Sequence, residues 1–464
     1  MPLVKAGRWD GYINLFQIKT GKFFNGLLLD LAQWCKKNHK TFEIRDAKNI
    51  IPDLGFTDEW LDHWEEYGVM EPMEHQREYI KSILKGCYCM CLSPTSSGKS
   101  YIVYMCVRYL LEKFPEMKIL ISVPSSLLRE QLFLDFESYA VDWNTEENCM
   151  TIAGGMNPKI EKSVVISTWQ TLHKFSPGWF KQFDAYFCDE AHLADSKCIS
   201  KIVESMAHAK LRIGLTGTLD GTKLHELEMK ARFGPIIKKT STIDLMEKGI
   251  VADLSIKCIQ LHYPEEDCYM VSHLRYAEEI DFVVRHEERN KYIIDLANSL
   301  KGNVLVLFNF IEKQGKVLER IGRDAEKNGG KKIRYMDGAT KVDERMKIKE
   351  EMEDVSDIIT IASSSMISTG TSIKNIEHII FAHPYKTRIR NIQSIGRGLR
   401  IRPGKTKATL FDICDDLRYS GRKKQKENYL YKHWVLRLET YQSEGFDYEI
   451  EERCIGKDSK ELHR

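Results

Sequence analysis

The sequence has no uncharged apolar run of the roughly 20 residues that a bilayer-spanning helix needs, so no membrane partner is expected. It has no excess of either charge: 69 Lys and Arg stand against 67 Asp and Glu, a formal net charge of +2. Such a balance neither announces nor excludes a nucleic-acid partner, and any basic surface must be local. It also lacks paired CxxC elements, although there are 12 cysteines, and this argues against a structural zinc site. Cys87, Cys89 and Cys91 alternate, as small apolar side chains on one face of a strand would. The remaining cysteines are scattered beside 16 methionines, which fits a reducing compartment. The start, Met1-Pro2-Leu3-Val4-Lys5, has no apolar core of a secretory leader, so a cytoplasmic location is expected. What is present is 464 residues, 42% hydrophobic and 29% charged: globular composition, and a length that suggests about three domains.

One stretch organises the rest: Leu92-Ser93-Pro94-Thr95-Ser96-Ser97-Gly98-Lys99-Ser100. A short apolar run precedes it and a helical pattern, Tyr101 to Glu112, follows. Strand, small-residue loop ending Gly-Lys-Ser, and helix make a phosphate-binding loop. Backbone N–H groups of the loop Pro94 to Gly98, from Thr95 onward, and the helix N-terminus would face one anion. Lys99 would reach the β- and γ-phosphates of ATP, and Ser100 would ligate Mg²⁺. The usual opening glycine is replaced by Ser93, and Ser96 fills another position that is commonly glycine. A chance Gly-Lys-Ser in a turn is the bland alternative.

The first half of the chain adds further candidates in order. Gln76 opens a helix upstream and can pair with both edges of adenine. Ser125 caps the helix after an apolar strand and offers donors to a phosphate, with Arg129 in the same helix. Gly154 and Gly155 allow close approach by nucleic acid, or simply make a turn. Thr168 and Gln170 follow another strand. The strand Ala185 to Cys188 delivers Asp189 and Glu190 at its end: Asp189 would hold Mg²⁺ through water, and Glu190 would polarise the attacking water. His192 could link the nucleotide to the other half of a motor. Thr216 and Thr218 end a further strand and could couple nucleotide state to a track.

After Thr240 to Val251, read as a linker, strands and helices alternate again and predict a second parallel sheet. Ser363, Thr369 and Gly370 follow the strand Ile358 to Ala362. In Gln393-Ser394-Ile395-Gly396-Arg397-Gly398-Leu399-Arg400, the arginines are three apart and share a helix face. A basic face turned to solvent or DNA is the alternative. Beyond Asp416, the run Arg418 to Lys426 with Tyr429, Tyr431, His433 and Trp434 interleaves basic and aromatic residues, as a stacking surface or a solvated linker would.

The series SPTSSGKS, VPSSLLREQ, TWQTL, DEAH and TGT resembles the first lobe of a superfamily-two helicase or translocase. Together with Trp9-Asp10-Gly11, Ser368-Thr369-Gly370 and Gln393 to Arg400, it is similar to phage helicases of the UvsW type, and a T5-like phage source is expected. The resemblance implies an α/β fold of two RecA-like parallel-sheet motor lobes, with a small N-terminal α+β domain and a helical C-terminal extension. The expected boundaries are 1–70 for an accessory DNA-binding domain, 71–240 and 241–416 for the lobes, and 417–464 for the extension. It also implies an ATP hydrolase, with ATP and Mg²⁺ as cofactors, that unwinds and migrates branched DNA. Gln393, Arg397 and Arg400 would act at the γ-phosphate. Gln76 and Gly370 would line the nucleotide. Ser125, Arg129, Gly154, Gly155, Thr168, Gln170, Ser363 and Thr369 would line the nucleic acid. The family's fifth motif has Asp where this chain has Ser372, which puts that contact in doubt. Partners would be branched or duplex DNA and phage recombination or replication proteins, the protein a monomer in the host cytoplasm. An RNA helicase, a duplex translocase that does not separate strands, and a binding module remain as alternatives.

Overall fold

The structure, a computed structural model, describes residues 15–45, 52–154, 159–193, 196–219, 222–364, 375–383, 407–420 and 425–456. The chain forms two compact units, Met1–Ser93 with Gly98–Lys239, and Thr240–Arg464 with Pro94–Ser97.

The first unit begins with a short antiparallel hairpin, β1 (Phe16–Gln17) and β2 (Lys22–Phe23), and helix α1 (Leu28–Lys37). Asn25, at the turn between them, accepts from Arg212 at 3.1 Å, and Asp30 pairs with Lys230 at 2.6 Å. Gly26 sits so close to the chain that a Cβ would meet the Lys230 carbonyl oxygen at 2.1 Å, so only glycine fits there. Residues 52–70 do not stand apart. Leu54, Phe56 and Leu61 are buried in the first core, with Trp60, Trp64 and Tyr67 packed against it. The boundary drawn at residue 70 therefore runs through a core: three large aromatic side chains in this charged stretch have nowhere else to bury their faces.

Helix α2 (Glu74–Gly86) leads into β3 (Tyr88–Leu92), the loop 93–98 and α3 (Lys99–Lys113). Then come β4 (Ile119–Val123), α4 (Ser126–Tyr139), β5 (Cys149–Ile152), β6 (Val164–Thr168), β7 (Ala185–Cys188), β8 (Leu211–Thr216), α5 (Lys223–Phe233) and β9 (Ile236–Ile237). The strands form one sheet in the order β5-β6-β4-β7-β8-β3-β9, with every pairing parallel. Strands such as Ile119-Leu120-Ile121-Ser122-Val123 are buried on both faces, which explains why they read as continuous apolar runs and not as alternation.

The second unit repeats the plan. Ser241 and Asp244 cap each other reciprocally at the start of a short helix, and Leu245 is fully buried, so the stretch read as a linker is part of this core. The sheet is built from β10 (Asp253–His262), β11 (Val304–Phe308), β12 (Lys332–Met336), β13 (Ile358–Ser363), β14 (His378–Phe381) and β15 (Lys407–Asp416). After a small hairpin, β16 (Tyr419–Ser420) and β17 (Gln425–Lys426), helix α6 (Tyr429–Ser443) precedes β18 (Tyr448–Cys454). The order is β12-β13-β11-β14-β15-β10-β18, again all parallel. The residues after Asp416 thus supply the edge strand of this sheet as well as a helix. Buried ion pairs lock it: Arg289 with Asp415 and Arg437 with Asp412, both pairs inaccessible to solvent. Tyr263 and Tyr441 add a phenol donor to each carboxylate, at 2.7 and 2.9 Å. Trp434 is core, and Arg418 lies over the Tyr431 ring at 4.1 Å, so Trp434 is not an exposed stacking surface.

Candidate nucleotide-binding site

In the first sheet β3 and β7 both flank β8, so the loops leaving their C-terminal ends come together. That is where ligands settle in parallel α/β sheets. The phosphate loop is held at its start by Ser93, whose N–H donates to the Thr216 carbonyl at 2.8 Å. Ser93 has no left-handed backbone, so the absent opening glycine costs nothing there. The strain falls on Ser96, at φ +68°, and on Gly98, at φ +81°. Ser97 closes the turn with its Oγ on the Pro94 carbonyl at 2.7 Å. Gly98 is required twice over, because a Cβ would also meet Gln76 Nε2 at 2.1 Å. Gln76 is buried against the loop, and its carbonyl accepts from Met73 N–H at 2.9 Å as part of the helix cap.

Lys99 begins α3, and its Nζ reaches the Ser93 carbonyl at 3.3 Å and Glu190 Oε1 at 3.8 Å. Asp189 and Glu190 follow β7 directly. Glu190 has φ +45°, a conformation that an ordinary side chain adopts at a cost of about 1 kcal/mol or more and that clusters at functional sites. Asp189 N–H donates to the Ser122 carbonyl at 2.8 Å, which fixes the carboxylate beside the loop. Burial, and then the neighbouring charge of Glu190, push the Asp189 carboxyl up to about 7. Its Oδ1 is buried and accepts no hydrogen bond among the described residues. A buried carboxylate oxygen without a donor, at the same sheet edge as Lys99, suits a hydrated dication with a polyphosphate. His192 Nδ1 meets Thr216 Oγ1 at 2.5 Å and Glu190 Oε2 at 3.4 Å, and Thr216 Oγ1 donates to the Thr218 carbonyl at 2.8 Å. The three residues named for coupling are therefore one connected chain leading to Glu190. Ser100 is bonded elsewhere: its hydroxyl lies 3.0 Å from the Tyr139 phenol oxygen. Tyr139 escaped the sequence reading because the contact spans 39 residues and no motif marks it.

A second cluster forms at the ends of β4, β5 and β6. Ser125 caps α4 by accepting from Leu128 N–H at 3.3 Å. Gln170 donates to the Pro124 carbonyl at 2.9 Å, and Thr168 caps its own short helix by accepting from Thr171 N–H at 3.3 Å. Gly154 follows β5, where a Cβ would meet Thr171 Oγ1 at 4.0 Å, an ordinary van der Waals contact. Arg129 behaves differently from an open phosphate contact: its guanidinium binds the Ile152 carbonyl at 3.1 Å and Glu130 at 3.1 Å. In the second unit, Ser363 ends β13 and is buried. Gly155, Thr369, Gly370, Ser372, Gln393, Arg397 and Arg400, and Trp9 to Gly11, lie outside the described residues.

Two parallel sheets, with a phosphate loop and an acidic pair after the two strands that flank β8 in the first, define the class: a nucleoside-triphosphate motor of superfamily-two architecture. Residues 69–221 match the family model for the type III restriction enzyme res subunit, and residues 288–402 the helicase conserved C-terminal domain. The chain is 34% identical, over 467 residues, to the ATP-dependent DNA helicase UvsW of Enterobacteria phage T4, covering 96% of this chain and 91% of that one. This chain belongs to the UvsW helicase family. It is also 24% identical over 270 residues, 56% of each chain, to a protein named probable helicase D10 of Escherichia phage T5, and a T5-like source is not established by that. The solved structure of the helicase MrfA bound to DNA shares the fold at 13% identity, with a TM-score of 0.58 over 89% of this chain and 56% of that one. No helix among the described residues is long and apolar enough to cross a membrane.

Proposed function

We propose that the chain is an ATP-driven DNA helicase that remodels branched DNA, opening forks and migrating four-way junctions. The observation that carries the chemistry is the convergence of Lys99, Asp189 and Glu190 at the ends of β3 and β7, with Lys99 and Glu190 3.8 Å apart. The loop N–H groups and Lys99 hold the triphosphate and offset its charge. Glu190 takes the proton of the attacking water, a role open to a carboxylate already poised beside the phosphate site. Mg²⁺, held by Ser100 and by Asp189 through water, would supply further charge neutralisation at the phosphates. The step from Glu190 through His192 to Thr216 and Thr218 gives the nucleotide site a physical link to the end of β8. Ser125, Gly154, Thr168 and Gln170 form the track-facing cluster of the first unit. Gln393, Arg397 and Arg400 would act at the γ-phosphate, as the family resemblance implies. The protein acts as a monomer in the host cytoplasm, with recombination or replication proteins as partners.

A second reading, translocation along duplex DNA without strand separation, is favoured by the match of residues 69–221 to the type III restriction res subunit. Steady-state ATPase rates on single-stranded DNA, linear duplex, a four-way DNA junction and RNA decide. Greatest stimulation by the junction supports branch remodelling. Equal stimulation by linear duplex favours translocation, and stimulation by RNA alone overturns both.

A further inference from the structure

A serine hydroxyl that serves as a neutral ligand to a dication keeps its proton, and that proton needs an acceptor. In the structure the partner of Ser100 Oγ is the Tyr139 phenol oxygen at 3.0 Å. Tyr139 is the last residue of α4 and is firmly placed. Its ring meets Tyr101 edge-on at 5.0 Å between centroids and Tyr104 at 5.7 Å. Its carbonyl accepts from Val69 N–H at 3.1 Å, which ties the end of α4 to the strand-like strap before the motor. Tyr101 donates its own hydroxyl to the Met70 carbonyl, and Tyr104 donates to the Tyr67 carbonyl at 2.6 Å. The phenol therefore cannot leave Ser100 without disturbing a packed aromatic group.

The other acceptor within the site's own chemistry is Asp189. Its Oδ1 is buried and takes no hydrogen bond among the described residues. The two facts fit one division of labour. We propose that Tyr139 is a positioning residue for the divalent cation: its phenol oxygen accepts the Ser100 proton, which frees the Ser100 lone pairs for the cation and leaves Asp189 Oδ1 to the cation's water shell. The inference rests on the nucleotide-site reading above. In this reading Tyr139 contacts neither nucleotide nor cation, and its effect on the cation runs through Ser100.

Tyr139→Phe is the direct test, because it keeps the ring and removes only the hydroxyl. The full-length chain is titrated with Mg²⁺ in the presence of a fluorescent ATP analogue, and binding of the analogue is also measured in excess EDTA. The variant is expected to need about 5- to 10-fold more Mg²⁺ at the midpoint, the scale of one lost neutral hydrogen bond, with unchanged binding in EDTA and an unchanged Tm. Ser100→Ala alone should raise the midpoint, and adding Tyr139→Phe to it should change nothing further. An unchanged midpoint in Tyr139→Phe overturns the proposal. So does a lower one, which would make Tyr139 a restraint on Ser100. An additive loss in the double variant overturns it too, since Tyr139 would then act by another route. If analogue binding to the unmodified protein ignores Mg²⁺ altogether, the reading of the nucleotide site itself fails, and the proposal with it.

Discussion

Lys99 Nζ and Glu190 Oε1 lie 3.8 Å apart, an ammonium and a carboxylate brought together from loops on either side of β8. Neither is at the surface: the side chains are 14% and 20% exposed, so each charge depends on the other when no phosphate is present. Glu190→Gln keeps the shape and removes the base. Nucleotide binding should persist or tighten slightly, since the neutral amide no longer faces the incoming phosphates. Turnover should fall about 10²- to 10⁴-fold. Equilibrium binding and steady-state hydrolysis on one preparation check both halves, and turnover within a few-fold of the unmodified protein would show that another group is the base.

Ser96 combines two unfavourable features within the phosphate loop. It holds φ +68°, and its Oγ is buried with no hydrogen-bond partner among the described residues. Ser96→Gly removes both, at the cost of a more flexible unfolded chain. The left-handed conformation costs an ordinary residue about 1–2 kcal/mol, while glycine's extra unfolded-state entropy is about 0.5–1 kcal/mol. A small net gain in Tm of the nucleotide-free protein is therefore expected. Calorimetry with and without nucleotide checks it: a fall in Tm without nucleotide would mean that the hydroxyl is held by contacts that offset the strain.

The phosphate loop, the acidic pair and the buried strands were legible in the sequence for a shared reason. Their chemistry is local. A Gly-Lys-Ser after an apolar run, or two carboxylates after Ala185 to Cys188, carries its meaning within a dozen residues. What could not be read depends on long-range contacts. Phe56 to Tyr67 reads as an acidic, aromatic helix, and only the fold shows that Leu54, Phe56 and Leu61 belong to the first core. The strand Tyr448–Cys454 falls in the stretch read as a helical extension, because its four Glu and Arg residues suit an exposed edge and leave no apolar run to mark a strand. Nothing in the sequence pairs Arg437 with Asp412, and only the fold brings them to 2.9 Å. Tyr139 has no motif at all.

Glu351 gives a pH signature for the second unit. Arg334 grips it with two contacts at 2.6 and 2.7 Å, and Lys332 adds a third at 2.5 Å. These bonds, that from Arg334 foremost, lower the Glu351 carboxyl from 4.5 to about 2. A carboxyl lowered in the folded state stabilises fully above its unfolded value and loses that contribution as pH falls toward the folded one. Glu351→Gln should therefore lower Tm at pH 7, and the gap from the unmodified protein should narrow between pH 4.5 and pH 2. Taking the difference between the two proteins cancels the other titrations. A gap independent of pH would show that the three bonds stabilise through geometry alone and not through charge.

Trp434 and Tyr429 separate two meanings of the same aromatic cluster. Both lie in the basic and aromatic run that suits stacking on bases. In the structure Trp434 is 3% exposed within the second core, whereas Tyr429 is 44% exposed. Trp434→Ala should destabilise the second unit by about 3–5 kcal/mol, the cost of emptying a core site of that size. DNA affinity of the folded fraction should stay the same. Tyr429→Ala removes a ring that packs edge-on against Tyr276 at 5.7 Å and is otherwise open, so its effect on stability should be small. If that ring stacks on a base, DNA affinity should fall by about 1–3 kcal/mol while Tm holds. Denaturant unfolding and DNA binding on both variants check this. The reverse pattern, lost affinity at constant stability in Trp434→Ala, would require the helix Tyr429–Ser443 to turn its other face to the core, against the packing of Trp434 and Tyr441 together.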